Sequence, residues 1–84
     1  MFTVYKVINT LNNKFYIGVH KTSNPYDTYM GSGLRIIREI KKYGVENFKK
    51  EILFSFEEKE LAYLKEKEIV SHHKDNVNCL NISE

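Results

Sequence analysis

The sequence predicts a small α+β domain, an antiparallel three-stranded sheet packed with helices, on three observations. Two short segments near the start alternate with a period of two and are separated by an Asn-rich turn, and a third alternating segment runs from Phe48 to Phe56. Two further stretches carry apolar residues at helical spacing. Eighty-four residues fit one domain, 1–84, built on a single small core.

In the first segment Thr3, Tyr5 and Val7 share one face; in the second, Tyr16, Gly18 and His20 do. A two-residue loop at Asn12-Asn13, where asparagine tolerates the left-handed backbone of a tight hairpin, sets Tyr5 opposite His20, Val7 opposite Gly18 and Asn9 opposite Tyr16. A four-residue loop keeps both tyrosines on the same side, whereas a three-residue loop with a bulge breaks that parity. Gly18 leaves a notch between large polar rings, open to close approach by a backbone or a ligand. The plainer reading is an amphipathic hairpin with exposed tyrosines.

Residues 22–27, rich in turn formers and holding Pro25, read as a loop. From Leu34 to Tyr43 the residues Leu34, Ile36, Ile37, Ile40 and Tyr43 mark an amphipathic helix, with Gly44 as its left-handed stop. Arg35, Arg38 and Lys42 fall on its other side, and Gly31-Ser32-Gly33 precedes its N-terminus, where free N–H groups attract anions. Ser32, Gly33 and Lys42, with Gly18, are therefore candidate phosphate contacts; a capped helix with a solvated basic face is the simpler alternative. In the third strand Phe48, Lys50, Ile52, Phe54 and Phe56 share a face, and Phe15, Ile17 and Val19 offer a matching apolar side, so sheet and helix share one core. The second helix runs from near Glu58 to about Ser71, with Leu61 and Leu64 on one side and Ala62, Ile69 and Val70 flanking Glu66 on another. Glu68 also approaches the core, so the helical wheel alone does not choose between the two carboxylates. His72 and His73 read as surface residues with no metal role.

Net charge is +2, unevenly spread: residues 1–56 hold nine Lys or Arg against four Asp or Glu, and residues 57–84 hold four against seven. Phosphates belong on the basic side, although solvated helix faces produce similar asymmetries. One cysteine, Cys79, excludes an internal disulfide and, with three histidines, disfavours a zinc cluster. Neither a secretory leader nor a membrane-spanning run is visible, so the expected setting is the cytoplasm, without membrane contact.

Tyr5, the polar turn and Tyr16-Ile17-Gly18 resemble the GIY-YIG nuclease superfamily, and residues Asn9 to Gly18 look like the catalytic domains of phage intron-homing endonucleases. The likeness extends to Tyr29-Met30-Gly31-Ser32-Gly33, to Lys42-Tyr43-Gly44 followed by Asn47-Phe48, to Glu66 and to Asn81. Two departures stand out. Thr3-Val4-Tyr5 replaces Gly-Ile-Tyr, and no arginine lies between Gly18 and Leu34, leaving His20, Lys21, Arg35 and Arg38 as replacement cations.

The resemblance implies a metal-dependent endonuclease acting on DNA, in the host cytoplasm if phage-encoded. It selects Glu66 as the metal ligand, and one carboxylate completed by waters and phosphate oxygens suits Mg2+ or Mn2+. It makes Tyr5 the general base or its immediate partner, has Tyr16 hold the attacking water or the phosphate, and has Asn81 support the carboxylate or the backbone. His20 and Lys21 assist Tyr5. A phenol with an ordinary pKa near 10 needs roughly 4 kcal/mol of phenolate stabilisation to act near neutrality, so His20, Lys21 or a metal must face it. A domain this short leaves no room for an independent DNA-reading unit, so a long target implies a homodimer or a separate targeting partner. The alternatives are a non-catalytic nucleic-acid-binding or regulatory domain with the same fold, and an interaction protein that does not touch nucleic acid.

Overall fold

A computed structural model describes residues 1–81. The alternating segments form β1 (Phe2–Asn9), β2 (Phe15–Lys21) and β3 (Phe48–Phe56); the helical stretches form α1 (Leu34–Tyr43) and α2 (Lys59–His72). The sheet is antiparallel in the order β2-β1-β3, which puts Tyr5 on the central strand.

The hairpin keeps the expected parity but not the expected register. Tyr5 faces Gly18, Val7 faces Tyr16 and Thr3 faces His20, a shift of two residues. The cause is a four-residue loop at 10–13 built by asparagine side chains. Asn9 Oδ1 accepts from Leu11 N–H at 2.9 Å, Asn12 Oδ1 accepts from Lys14 N–H at 3.0 Å, and Asn13 takes φ 64. Asn9 and Asn12 also donate to Glu39 Oε2 at 3.0 and 3.2 Å, which ties α1 to the turn.

The single expected core is two cores, because the central strand buries both of its faces. Val4, Phe15 and Ile17 pack with Ala62 of α2 on one side, while Tyr5, Val7 and Phe48 pack with Ile36 of α1 on the other. The third strand also departs from simple alternation. Its pairing with β1 slips between Val4 and Tyr5, so Phe54 pairs with Val4 and Ile52 with Tyr5, leaving Leu53 extra. Ile52 therefore packs on the α1 side, whereas Leu53 and Phe56 join the α2 side. Phe54, expected in the core, is 44% exposed with Lys65 Nζ 4.9 Å from its ring centroid.

Both helices bury narrower stripes than their wheels suggest. Leu34, Ile37, Leu61 and Leu64 are exposed; Ile36 and Ala62 are fully buried. Ala62, the smallest of these, lets α2 approach the sheet closely, and one turn later Glu66 follows it into a half-buried position. Glu68 stays at the surface, bridged to Lys65 at 3.0 Å. Gly44 ends α1 as expected, with φ 88 and its N–H on the Ile40 carbonyl at 2.8 Å. After α2 the chain runs back along the outer edge of β2. Phe15 N–H donates to Asn78 O at 2.9 Å and Leu80 N–H to Phe15 O at 2.7 Å. Among the described residues, no helix is long and apolar enough to cross a membrane.

Candidate active site

Tyr5 and Tyr16 lie on one face of the sheet with ring centroids 6.3 Å apart. Glycines make this arrangement fit. A Cβ on Gly18 would meet the Tyr5 hydroxyl, lie 2.6 Å from Tyr5 Cζ and lie 2.9 Å from Tyr16 Cε2. One on Gly33 would come within 2.9 Å of Tyr16 Cε1. The notch at Gly18 is real, but the Tyr5 phenol fills it, so no ligand can. Gly33 likewise seats the Tyr16 ring at the start of α1, whose first turn carries no acidic residue, so its free N–H groups remain suited to an anion. A third ring, Tyr29, stands edge-on to Tyr5 at 5.9 Å.

Burial, then the neighbouring Tyr16, Tyr29 and Glu66 groups, push the Tyr5 hydroxyl well above the ordinary tyrosine value. That direction works against a phenolate unless a cation stands beside the ring. Tyr16 is also raised, by burial first and then by Glu66, Tyr29 and Tyr63. The Glu66 charge is among the causes that raise both phenols. Desolvation raises Glu66 itself, and it forms no ion pair or side-chain hydrogen bond with the described residues. No group of three metal-ligating side chains occurs among the described residues. One desolvated carboxylate without a basic partner fits a divalent ion that keeps most of its waters, and does not fit a closed structural site.

Beside Tyr16 a cleft of about 210 Å³ is lined by Tyr16, Gly33, Leu34, Arg35, Leu80 and Asn81. Arg35 is the cation that the structure brings to Tyr16. Asn81 mimics a strand backbone: its Oδ1 accepts from Ile17 N–H at 2.9 Å and its Nδ2 donates to Ile17 O at 2.7 Å. It thus fixes the β2 backbone between Tyr16 and Gly18. Arg38 and Lys42 lie on the exposed side of α1 and Ser32 is exposed; none of the three lines this cleft. Lys21, expected beside Tyr5, is on the opposite face with its ammonium 5.8 Å from the Phe2 ring, because successive strand residues alternate.

His20 is opposite Thr3 rather than Tyr5, yet it stays in the cluster, stacked on Tyr29 at 3.8 Å and 3.0 Å from Asp27 Oδ2. Lys50 completes this group. Nearly buried, it donates to Asp27 Oδ1 at 2.8 Å, Asp27 O at 3.0 Å and Tyr29 O at 2.9 Å, and its ammonium is 5.8 Å from the Tyr5 ring. Sequence reasoning missed Asp27 and Lys50 and gave Tyr29 no role. The available signal was a lysine between Phe48 and Ile52 on a core-facing strand position, since a buried lysine requires a carboxylate.

Lys50, with Thr22, holds the Asp27 carboxyl well below the usual carboxylate range. A depressed carboxyl stabilises the fold above its unfolded value of about 3.9, and that contribution is lost as pH falls toward the folded value. Asp27→Asn should therefore lose less stability between about pH 4 and pH 2 than the parent chain, read by urea unfolding across that window.

No protein-family model matches the chain. Its fold matches the solved catalytic domain of homing endonuclease I-TevI with a TM-score of 0.75 and 26% identity, covering 100% of both chains. In sequence it is similar to proteins of Enterobacteria phage T4. It is 49% identical to segD over 70 residues, covering 83% of this chain and 31% of that protein, and 53% identical to segB over 70 residues, covering 83% and 32%. It is 40% identical to Endonuclease segA over 67 residues, covering 80% and 30%. The chain spans about a third of the length of these relatives. The structural match spans the whole chain and the sequence matches cover 80–83% of it, and the chain belongs to the GIY-YIG nuclease superfamily.

Proposed function

We propose that this domain is a metal-dependent endonuclease that hydrolyses DNA phosphodiester bonds at the cluster of Tyr5, Tyr16 and Glu66. The observation that carries the reading is a desolvated carboxylate with no ion pair among the described residues, whose charge bears on two clustered phenols, one of which lines a cleft with a guanidinium. Mg2+ or Mn2+ would be held by Glu66, waters and phosphate oxygens, and when bound would offset charge developing on the phosphoryl and leaving oxygens. Tyr16 orients the attacking water or the phosphate through its hydroxyl. Tyr5 serves as the general base for the attacking water or as its immediate partner, a role that needs a nearby cation to offset the burial that raises its hydroxyl. Arg35 supplies the planar fork that suits a phosphate, in place of the arginine missing from the preceding loop. Asn81 keeps the β2 backbone, and with it Tyr16, in position.

DNA approaches along the exposed face of α1, with Arg38, Lys42 and the N–H groups around Ser32 and Gly33 beside the cleft. Reading a long recognition site takes contacts beyond this domain, for which a second copy or a separate targeting partner is proposed. The setting proposed is the cytoplasm, of the host if the chain is phage-encoded.

Incubating supercoiled plasmid with Mg2+ or Mn2+ tests the activity directly. Nicked or linear product that disappears with chelator supports it; DNA binding without cleavage at any metal concentration favours the non-catalytic reading. Filter binding in rising salt adds a second check. Arg35→Ala should weaken binding and reduce the log–log salt slope by about 0.9, the share of one phosphate contact. A parent chain with no salt-dependent binding would reject a nucleic-acid partner.

A further inference from the structure

Resting on the nuclease reading above, we propose that Lys59, Tyr63 and Lys67 form a DNA-backbone track along α2 beside Glu66, in which the two ammonium groups and the Tyr63 hydroxyl hold consecutive phosphates of one strand. The three recur at i, i+4 and i+8, so they line one stripe of the helix, with successive members about 6 Å apart along its axis. That step is close to the one between neighbouring phosphates of a single strand.

The helix itself fixes the stripe relative to Glu66. Tyr63 precedes Glu66 by three residues, which sets their Cβ atoms about 5–6 Å apart, and Lys67 follows it directly. Lys65 shows which flank of α2 the stripe occupies. Its ammonium lies 4.9 Å from the Phe54 ring, so that flank faces β3, at one edge of the sheet. Tyr63 and Lys67 fall on the flank across Glu66 from Lys65, toward β2, the strand that carries Tyr16. In keeping with that placement, the Tyr63 phenol is among the groups whose charge bears on Tyr16.

All three side chains are open to an incoming strand. Lys59 and Lys67 are exposed and form no ion pair with the described residues, and Tyr63 is 47% exposed. The Lys59 ammonium lies 5.8 Å from the Tyr63 ring centroid, which orders the ring and leaves both polar tips available. Of the acids on α2, Glu66 is half-buried, Glu68 is bridged to Lys65 on the far flank, and Glu60 stands beside the stripe. Two lysines against one exposed acid leave the stripe net positive. Glu57 and Glu58 precede the helix, where its dipole offsets their charge. Arg35 comes to Tyr16 from α1 and the track comes to Glu66 from α2, so a strand held by both passes over the residues that act on the scissile phosphate.

The test is filter binding of duplex DNA in rising salt without metal, followed by single-turnover nicking with Mg2+, on the full chain. The double variant Lys59→Gln/Lys67→Gln should reduce the log–log salt slope by about 1.8, the share of two phosphate contacts, while Lys65→Gln on the β3 flank should leave it unchanged. Tyr63→Phe keeps the ring and loses the hydroxyl, and should weaken binding by about 10-fold with the parent's salt slope. Because the chain has no tryptophan, Tyr63→Trp adds a single emitter, whose fluorescence should change as DNA binds. Urea midpoints should match the parent's, since the substituted side chains reach solvent. A double-lysine slope within about 0.3 of the parent's, an equal fall in Lys65→Gln, or Tyr63→Trp emission unmoved by DNA that the filter retains overturns the track while leaving the nuclease reading intact. No DNA binding by the parent chain overturns both. Binding with no cleavage by the parent with either metal overturns the nuclease reading and leaves the track as a DNA contact.

Discussion

Glu66→Gln is expected to abolish cleavage and raise the melting temperature at once. The carboxylate is half-buried, desolvated and unmatched by any basic group among the described residues, so its ionised form weighs against the fold. The sign follows from linkage. A carboxyl raised in the folded state binds its proton more tightly there than in the unfolded chain. Its penalty is therefore full above the folded value and vanishes below the unfolded one. Glutamine removes that penalty at neutral pH, and the two melting temperatures should converge on acidification. Cleavage should fall by several kcal/mol of transition-state stabilisation, on the order of 10³-fold, because glutamine cannot neutralise a divalent cation. Thermal melts without metal and nicking rates with metal read the two effects separately. A less stable and still active Glu66→Gln would mean that the glutamate is a structural residue.

Gly18→Ala should damage stability and activity together. The new methyl would enter space held by the Tyr5 hydroxyl, with Tyr5 Cζ at 2.6 Å and Tyr16 Cε2 at 2.9 Å. Neither ring has a free path: Tyr5 is 2% exposed and braced by Tyr29, and the far side of Tyr16 rests on Gly33. Overpacking of this kind costs about 1–3 kcal/mol, which for a domain of this size lowers the melting temperature on the order of 5–20 °C. Displacing either phenol by about 1 Å should slow cleavage on the order of 10²-fold even where the chain remains folded. Urea unfolding and single-turnover nicking measure both. A variant as stable and as fast as the parent would show that the rings have room to yield, contrary to the packing described here.

The sequence carried the face on which each tyrosine lies, because strand parity survives any even loop. It did not carry the register, which depends on Asn9 and Asn12 each closing a local turn with its own side chain and so lengthening the loop to four residues. The irregularity at Leu53 was hidden by the regular spacing of Phe48, Ile52, Phe54 and Phe56, which mimics an uninterrupted strand. Glu66 and Glu68 were equivalent on a helical wheel, and only the close approach of α2 at Ala62 separates a desolvated carboxylate from one bridged to Lys65. Asp27 and Lys50 are 23 residues apart, on a proline-containing loop and a strand that show no local sign of their pairing. Non-local charge pairs of this kind are set by topology, which periodicity does not encode.

The central claim is that one divalent ion sits at Glu66 beside the two phenols, and the most direct measurement is paramagnetic broadening of NMR resonances as Mn2+ is added to the chain. The account predicts broadening strongest at Glu66, next at Tyr16 and Gly18, and lost in Glu66→Gln. Broadening centred instead on Glu68, His72 and His73, which line a separate groove with Phe54 and Ile69, and unchanged in Glu66→Gln, would contradict it.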